Sequence, residues 1–214
     1  MLLYYTVSGP GEGEQIINRS RFIAHVKPAE CREEAEEFFS AVRKEYRDAT
    51  HNVPAYVLGD KQELQWASDD GEPSGTSGAP IVRLLVMLGL TNTAVIITRY
   101  FGGIKLGTGG LVRAYSSSAR LGLEKAGVSR TERMIVMRCA VDYSSFQRIR
   151  SRFPESDSRI VKIDYAENVR FSFCTDDEKH KGDIAELTNL TQGKIDFMSE
   201  EEQIVKRAEP DFFH

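Results

Sequence analysis

TAVIITRYFGGIKLGTGGLVRAYSSSARLGLEKAG, residues 93–127, sets the character of the first half of the chain. TAVIITRYF (93–101) is an apolar, β-branched run, which predicts a buried-type strand. LVRAYSSSARLGLEKAG (111–127) predicts a helix stopped by Gly127. Between them, GGIKLGTGG (102–110) holds five glycines in nine positions. A mid-helix glycine costs roughly 1 kcal/mol against alanine. Such a cluster therefore implies a turn, a close backbone approach or a ligand cradle.

Upstream, LLYYTV (2–7) and QIINRSRFIAHV (15–26) read as strands. AECREEAEEFFSAVRKEY (29–46) is an amphipathic helix whose glutamates crowd its first turns, where the helix dipole favours them. HNVPAYVLG (51–59) and ELQWAS (63–68) read as strands, and Pro54 suggests that the first lies at an edge or carries a bulge. DDGEPSGTSGAP (69–80) is a loop, and IVRLLVMLGL (81–90) a helix ending near Gly89. Downstream, VSRTERM (128–134) reads as a linker. Then follow a strand from Met134, a helix over SSFQRIRSRF, two strands within 158–175, a helix over 176–190 and a strand over 194–207, with AEPDFFH as a loose tail. The order βαββαβ predicts a ferredoxin-like domain over 131–214, after an α+β domain over 1–130.

The totals suit that division. A chain of 214 residues suits one large domain or two small ones, each long enough to bury a core. No run of about 18 apolar residues predicts a membrane span. The start lacks the pattern of a signal peptide. The three cysteines, Cys31, Cys139 and Cys174, are odd in number and far apart. They point to a reducing cytoplasm, with Cys139 and Cys174 as core residues. The net charge of −4 falls entirely after residue 130. From Pro73 to Leu123 there is no Asp or Glu, while Arg83, Arg99, Lys105, Arg113 and Arg120 are present. This stretch reads either as a low-charge core segment or as a positive face for phosphate.

Two glycine-rich loops precede helices: SGTSG (74–78), with Gly75 and Ser77, and GGIKLGTGG, with Gly102, Gly103, Gly107, Thr108, Gly109 and Gly110. Helix N-termini carry free N–H groups and partial positive charge, so both loops are candidate anion cradles. Ser77 and Thr108 stand as candidate N-caps. The alternative is a pair of tight turns needing positive φ. Neither a P-loop nor a dinucleotide fingerprint fits: Thr108 stands where a P-loop lysine would, and Val112 replaces the third glycine of GxGxxG. Asp69, Asp70 and Glu72 form a carboxylate group suited to Mg²⁺ or to a solvated turn. His51 reads as a base, a stacking group or a capping residue. His180 and His214 have no companion at metal spacing.

SRFIA (20–24), ATHN (49–52), SDDGEPSGTSGAP (68–80) and RYFGGIKLGTGGLVRAY (99–115) resemble the signature blocks of the YigZ/IMPACT family. The resemblance covers roughly residues 15–127, and the tail from about residue 132 is similar to the small domain of bacterial members. Val53 and Pro54 depart from the family pattern, which often shows a cysteine and an aromatic there. The resemblance implies a first domain like the second domain of ribosomal protein five and elongation factor G domain IV. It implies a second domain like elongation factor G domain V. For eukaryotic members it implies translational control through an initiation-factor kinase; for a bacterial protein it implies a general link to RNA or ribosomes. Carried over by block are Arg21, His51, Asn52, Asp69, Asp70, Gly71, Glu72, Gly75, Arg99, Tyr100, Gly102, Gly103, Gly107, Gly109 and Gly110.

These readings predict a cytoplasmic RNA- or ribosome-binding protein that acts without a cofactor. Arg99, Lys105 and Arg113 would meet phosphate, with Tyr100 and Phe101 as stacking groups. One alternative is an enzyme on phosphorylated small molecules or nucleotides, with Asp69, Asp70 or Glu72 holding Mg²⁺ or acting as base, by analogy with sugar and mevalonate kinases. The other is a protein-interaction module. Oligomeric state is not legible.

Overall fold

The computed structural model describes residues 1–154, 157 and 159–213. Ser158, where the predicted strand pair begins, and His214 lie outside the described residues. The chain forms two compact units. One comprises Tyr4–Arg130 with Ala208–His214, the other Met1–Leu3 with Thr131–Arg207.

The larger unit is built on an antiparallel sheet ordered β2-β3-β6-β4-β5. Its strands are β2 (Gly11–Ile17), β3 (Ser20–Pro28), β4 (His51–Leu58), β5 (Leu64–Ala67) and β6 (Thr93–Tyr100). Helix α1 (Arg32–Glu45) covers one face, where Ala35, Phe39 and Val42 meet Tyr56, Leu58, Ala94 and Ile96. Helices α2 (Gly78–Met87) and α3 (Gly107–Ala126) cover the other, with Leu84, Leu111, Tyr115 and Leu123 against Phe22, Val53, Val95 and Ile97. Successive side chains of β6 thus enter different cores. That is why its sequence is continuously apolar rather than alternating.

Four sequence expectations fail here for local reasons. Residues 15–26 are not one strand: β2 and β3 form a hairpin whose turn residues, Asn18 and Arg19, both have positive φ. Strand β4 is not an edge, since it lies between β6 and β5. Pro54 is tolerated because its carbonyl accepts from Ser68 N, so its missing N–H faces the side where the β5 ladder has ended at Ala55–Ala67. Helix α3 starts at Gly107 rather than Leu111, enclosing Thr108, Gly109 and Gly110 in its first turn. The tail is not loose: Phe212 packs on Tyr5, ring centroids 5.3 Å apart, and Phe213 joins the same core.

The smaller unit carries strand β7 (Val128–Val141), α4 (Tyr143–Arg152), β8 (Ile160–Tyr165), β9 (Val169–Thr175), α5 (His180–Leu190) and β10 (Asp196–Ala208). Strand β9 lies between β7 and β8, and β10 pairs with β7, giving the ferredoxin-like arrangement; β1 (Leu2–Val7) also pairs with β7. The predicted linker 128–134 is instead the start of β7. Its Val128, Ser129 and Thr131 are buried, and the polar lettering of SRTER concealed a half-buried strand. Met137, Cys139, Val141, Phe171 and Phe173 pack beneath Phe146 and Ile149 of α4, Phe153 just past its end, and Leu187 of α5. Asp142 caps α4 by accepting from Ser145 N at 2.8 Å. All three cysteines are free. Cys31 is exposed, whereas burial pushes the Cys139 thiol up to about 12 and Cys174 up to about 11. Among the described residues, no helix is long and apolar enough to cross a membrane.

Candidate functional site

Strand register assembles the site. Arg99 on β6 lies opposite Phe22 of β3 and His51 of β4, so the three side chains form one row on the face that α3 covers. The Arg99 guanidinium sits 5.3 Å from the Phe22 ring centroid and 5.5 Å from that of Phe101. Only 4% of Arg99 is exposed, and a charge so buried needs a partner. Glu72, 8% exposed, supplies it: Arg99 Nη1 donates to Glu72 Oε1 at 2.5 Å. Tyr115, one of the few polar-tipped residues on the inner face of α3, donates its hydroxyl to the same oxygen at 2.8 Å. Burial, reinforced by the Glu72 charge, holds that phenol far above its ordinary range. Arg99 Nη2 reaches Ser20 Oγ at 3.3 Å, while its Nε is buried with no acceptor.

The loop bearing Glu72 is shaped by its other carboxylates. Asp69 faces the glycine loop 74–78 and accepts from the amides of Gly75 (2.7 Å), Ser77 (3.1 Å) and Gly78 (2.9 Å), and from the Ser77 hydroxyl (2.7 Å). Burial works to raise its pKa, but the Ser77 hydroxyl and these amides outweigh it, and the carboxyl titrates below its ordinary value. Ser77 does occupy the N-cap position of α2, but its hydroxyl caps no amide. Asp70 Oδ2 accepts from Asn52 N at 2.6 Å, and the Asp70 carbonyl faces His51 Nδ1 at 2.7 Å. The three carboxylates therefore turn to three different partners. Among the described residues, no three His, Cys, Asp or Glu side chains converge as a metal site.

The second glycine loop differs. Gly102 is packed against the Arg19 backbone, where a Cβ would stand 2.1 Å from the carbonyl carbon. Gly103 and Gly107 take φ of 84° and 69°. Gly109 has no such demand: φ is helical, and the nearest atom to a Cβ would be Arg113 Nη1 at 3.6 Å. The N-cap position falls on Leu106, not Thr108, and no side chain caps this end. The amides of Gly107, Thr108 and Gly109 have no acceptor among the described residues. Lys105 and Arg113 are exposed and form no ion pair among them.

A pocket of about 430 Å³ joins the two clusters. Its walls include His51, Glu72, Arg99, Phe101, Lys105 and the Gly107–Thr108 start of α3. Other predicted residues lie elsewhere. Arg21 forms a bidentate pair with Glu14 at 2.8 Å and lies over Tyr100, whose hydroxyl donates to Asp48. Asn52 is buried, accepting from Thr98 Oγ1. Gly75 and Ser77 belong to the Asp69 loop. Sequence reading missed the roles of Tyr115 and Ser20. Tyr115 lies eight residues beyond Gly107 on the face of α3 shared with Leu111, a position that the helical period could have flagged.

The Impact N-terminal domain profile matches residues 18–123, and a domain of unknown function, DUF1949, matches residues 139–194. The IMPACT family member YvyE of Bacillus subtilis is 40% identical over 205 residues, spanning 96% of this chain and 94% of the relative. The IMPACT family member YigZ of Escherichia coli is 32% identical over 189 residues, spanning 87% and 92%. A crystal structure described as that of a hypothetical protein superposes with a TM-score of 0.58 at 29% identity, covering 96% of this chain and 98% of that one. The signature blocks, the two-unit fold and these matches agree, and the chain is a member of the IMPACT family.

Proposed function

We propose that this protein binds RNA, free or within the ribosome, by seating a backbone phosphate at the start of α3. The observation that carries this reading is the conjunction at one pocket wall of the uncapped Gly107 and Thr108 amides with Lys105, a cation that has no acidic partner among the described residues. A helix N-terminus favours negative charge, and Gly109 leaves its amide approachable where the fold does not require glycine. Arg113, whose Nη1 reaches back toward Gly109, adds a second charge at the same mouth. The acid-free stretch from Pro73 to Leu123 keeps this end of the unit from repelling a polyanion.

The test is fluorescence anisotropy of a single-stranded RNA across a salt series. Lys105→Ala with Arg113→Ala is expected to weaken binding about tenfold at low salt and to reduce the logarithmic salt slope by about 1 to 2. An unchanged affinity and slope in a folded double variant would overturn the proposal.

A further inference from the structure

We infer that the pocket beside the α3 mouth accepts the ribose of a ribonucleotide and discriminates against deoxyribose, through His51 Nε2 and Glu72 Oε2. The inference rests on the phosphate reading above. His51 Nδ1 is 2.7 Å from the Asp70 carbonyl oxygen, which can only accept. In the neutral imidazole that bond places the ring proton on Nδ1 and leaves Nε2 as an acceptor. Glu72 spends Oε1 on Arg99 and Tyr115, so Oε2 has no donor among the described residues although the side chain is only 4% exposed. The two atoms stand 3.9 Å apart, too far for a hydrogen bond. Both residues line the pocket. Two adjacent acceptors call for a donor from outside the protein, and a hydroxyl, with its single proton, serves one of them at a time.

The surroundings narrow that donor. A cationic ligand would meet Arg99 and Lys105 in the same walls, so a neutral hydroxyl is the better match. The phosphate seat lies at another wall of the same cavity, and in a nucleotide the sugar is the group bonded directly to phosphate. The cavity, about 430 Å³, is in the range of sites that enclose a small ligand. Phe101, 46% exposed, offers a ring face to the attached base. The 2′-hydroxyl is then the group that separates RNA from DNA at this position.

An oligouridylate and its deoxyuridylate counterpart isolate the hydroxyl, because both strands carry the same base. Labelled strands of about eight nucleotides, titrated with the full-length protein, should show the ribo form binding about tenfold tighter. The ratio should fall to near one in His51→Ala. The comparison in the unaltered protein stands even if that variant misfolds. Equal binding of the two strands overturns this inference and leaves the phosphate reading in place, whereas no binding by either overturns both. Competition with uridine and deoxyuridine monophosphates separates the sources. Displacement by the ribonucleotide alone supports a free nucleotide as ligand. Displacement only by the unlabelled ribo strand supports a chain. Displacement by both monophosphates alike overturns the inference.

Discussion

The two glycine loops look alike in sequence and behave differently in the fold. Both are short, hydroxyl-containing and placed before a helix. In the loop 74–78 the donor groups converge on the Asp69 carboxylate, so the protein fills its own anion seat. In the loop 102–110 the first-turn amides of α3 face no acidic side chain, and the nearby cations Lys105 and Arg113 stand without acidic partners among the described residues. A row of backbone N–H groups thus becomes a structural clamp where the chain supplies the anion itself and stays unpaired where it does not.

Substitutions can break this contrast at graded cost. Gly102→Ala should be the most damaging, because its Cβ would enter the Arg19 backbone; a loss of about 3 kcal/mol by urea denaturation is expected. Asp69→Ala should cost about 2 kcal/mol by removing the acceptor from three amides and a hydroxyl. Added sulfate should then raise the Tm of that variant more than that of the parent, since the emptied loop would resemble its neighbour. The same carboxyl titrates below its ordinary value, so its contribution is full above about pH 4 and fades as acid protonates the folded form. The stability gap between the parent and Asp69→Asn should accordingly narrow as pH falls below about 4. Gly109→Ala should have the smallest effect on stability and the opposite sign. A gain of up to about 1 kcal/mol is expected from helix propensity, together with weaker RNA binding. A variant that binds RNA as well as the parent would show that ligand approach does not need this glycine.

Much of the architecture was readable because hydrophobic periodicity carries it: the continuous run of β6, the stripe of α1 and the βαββαβ order of the second unit. Errors gathered where the deciding contact is remote. The Asn18–Arg19 turn lacks the glycine that usually advertises a two-residue hairpin, and Phe212 finds Tyr5 only in the folded chain. At the site, the glycine loop and the carboxylate loop were legible as separate clusters. Their union at one pocket depends on the β4–β6 register, which places His51 opposite Arg99, and on the turn that carries Glu72 back to them. The difference between the two glycine loops was hidden too. Nothing in SDDGEPSGTSG tells which of its three carboxylates will turn toward the amides.

The exchange of terminal segments has a consequence for biosynthesis. Phe212 and Phe213 are half-buried and cover part of the core of a unit whose other residues end at Arg130, so that cover is added only after the nascent chain has been extended through β10. Tyr5 waits for an aromatic partner that lies beyond β10 in the chain. A fragment cut at residue 130 would lack this cover, and functional dissection of the protein is better done by point substitution than by truncation.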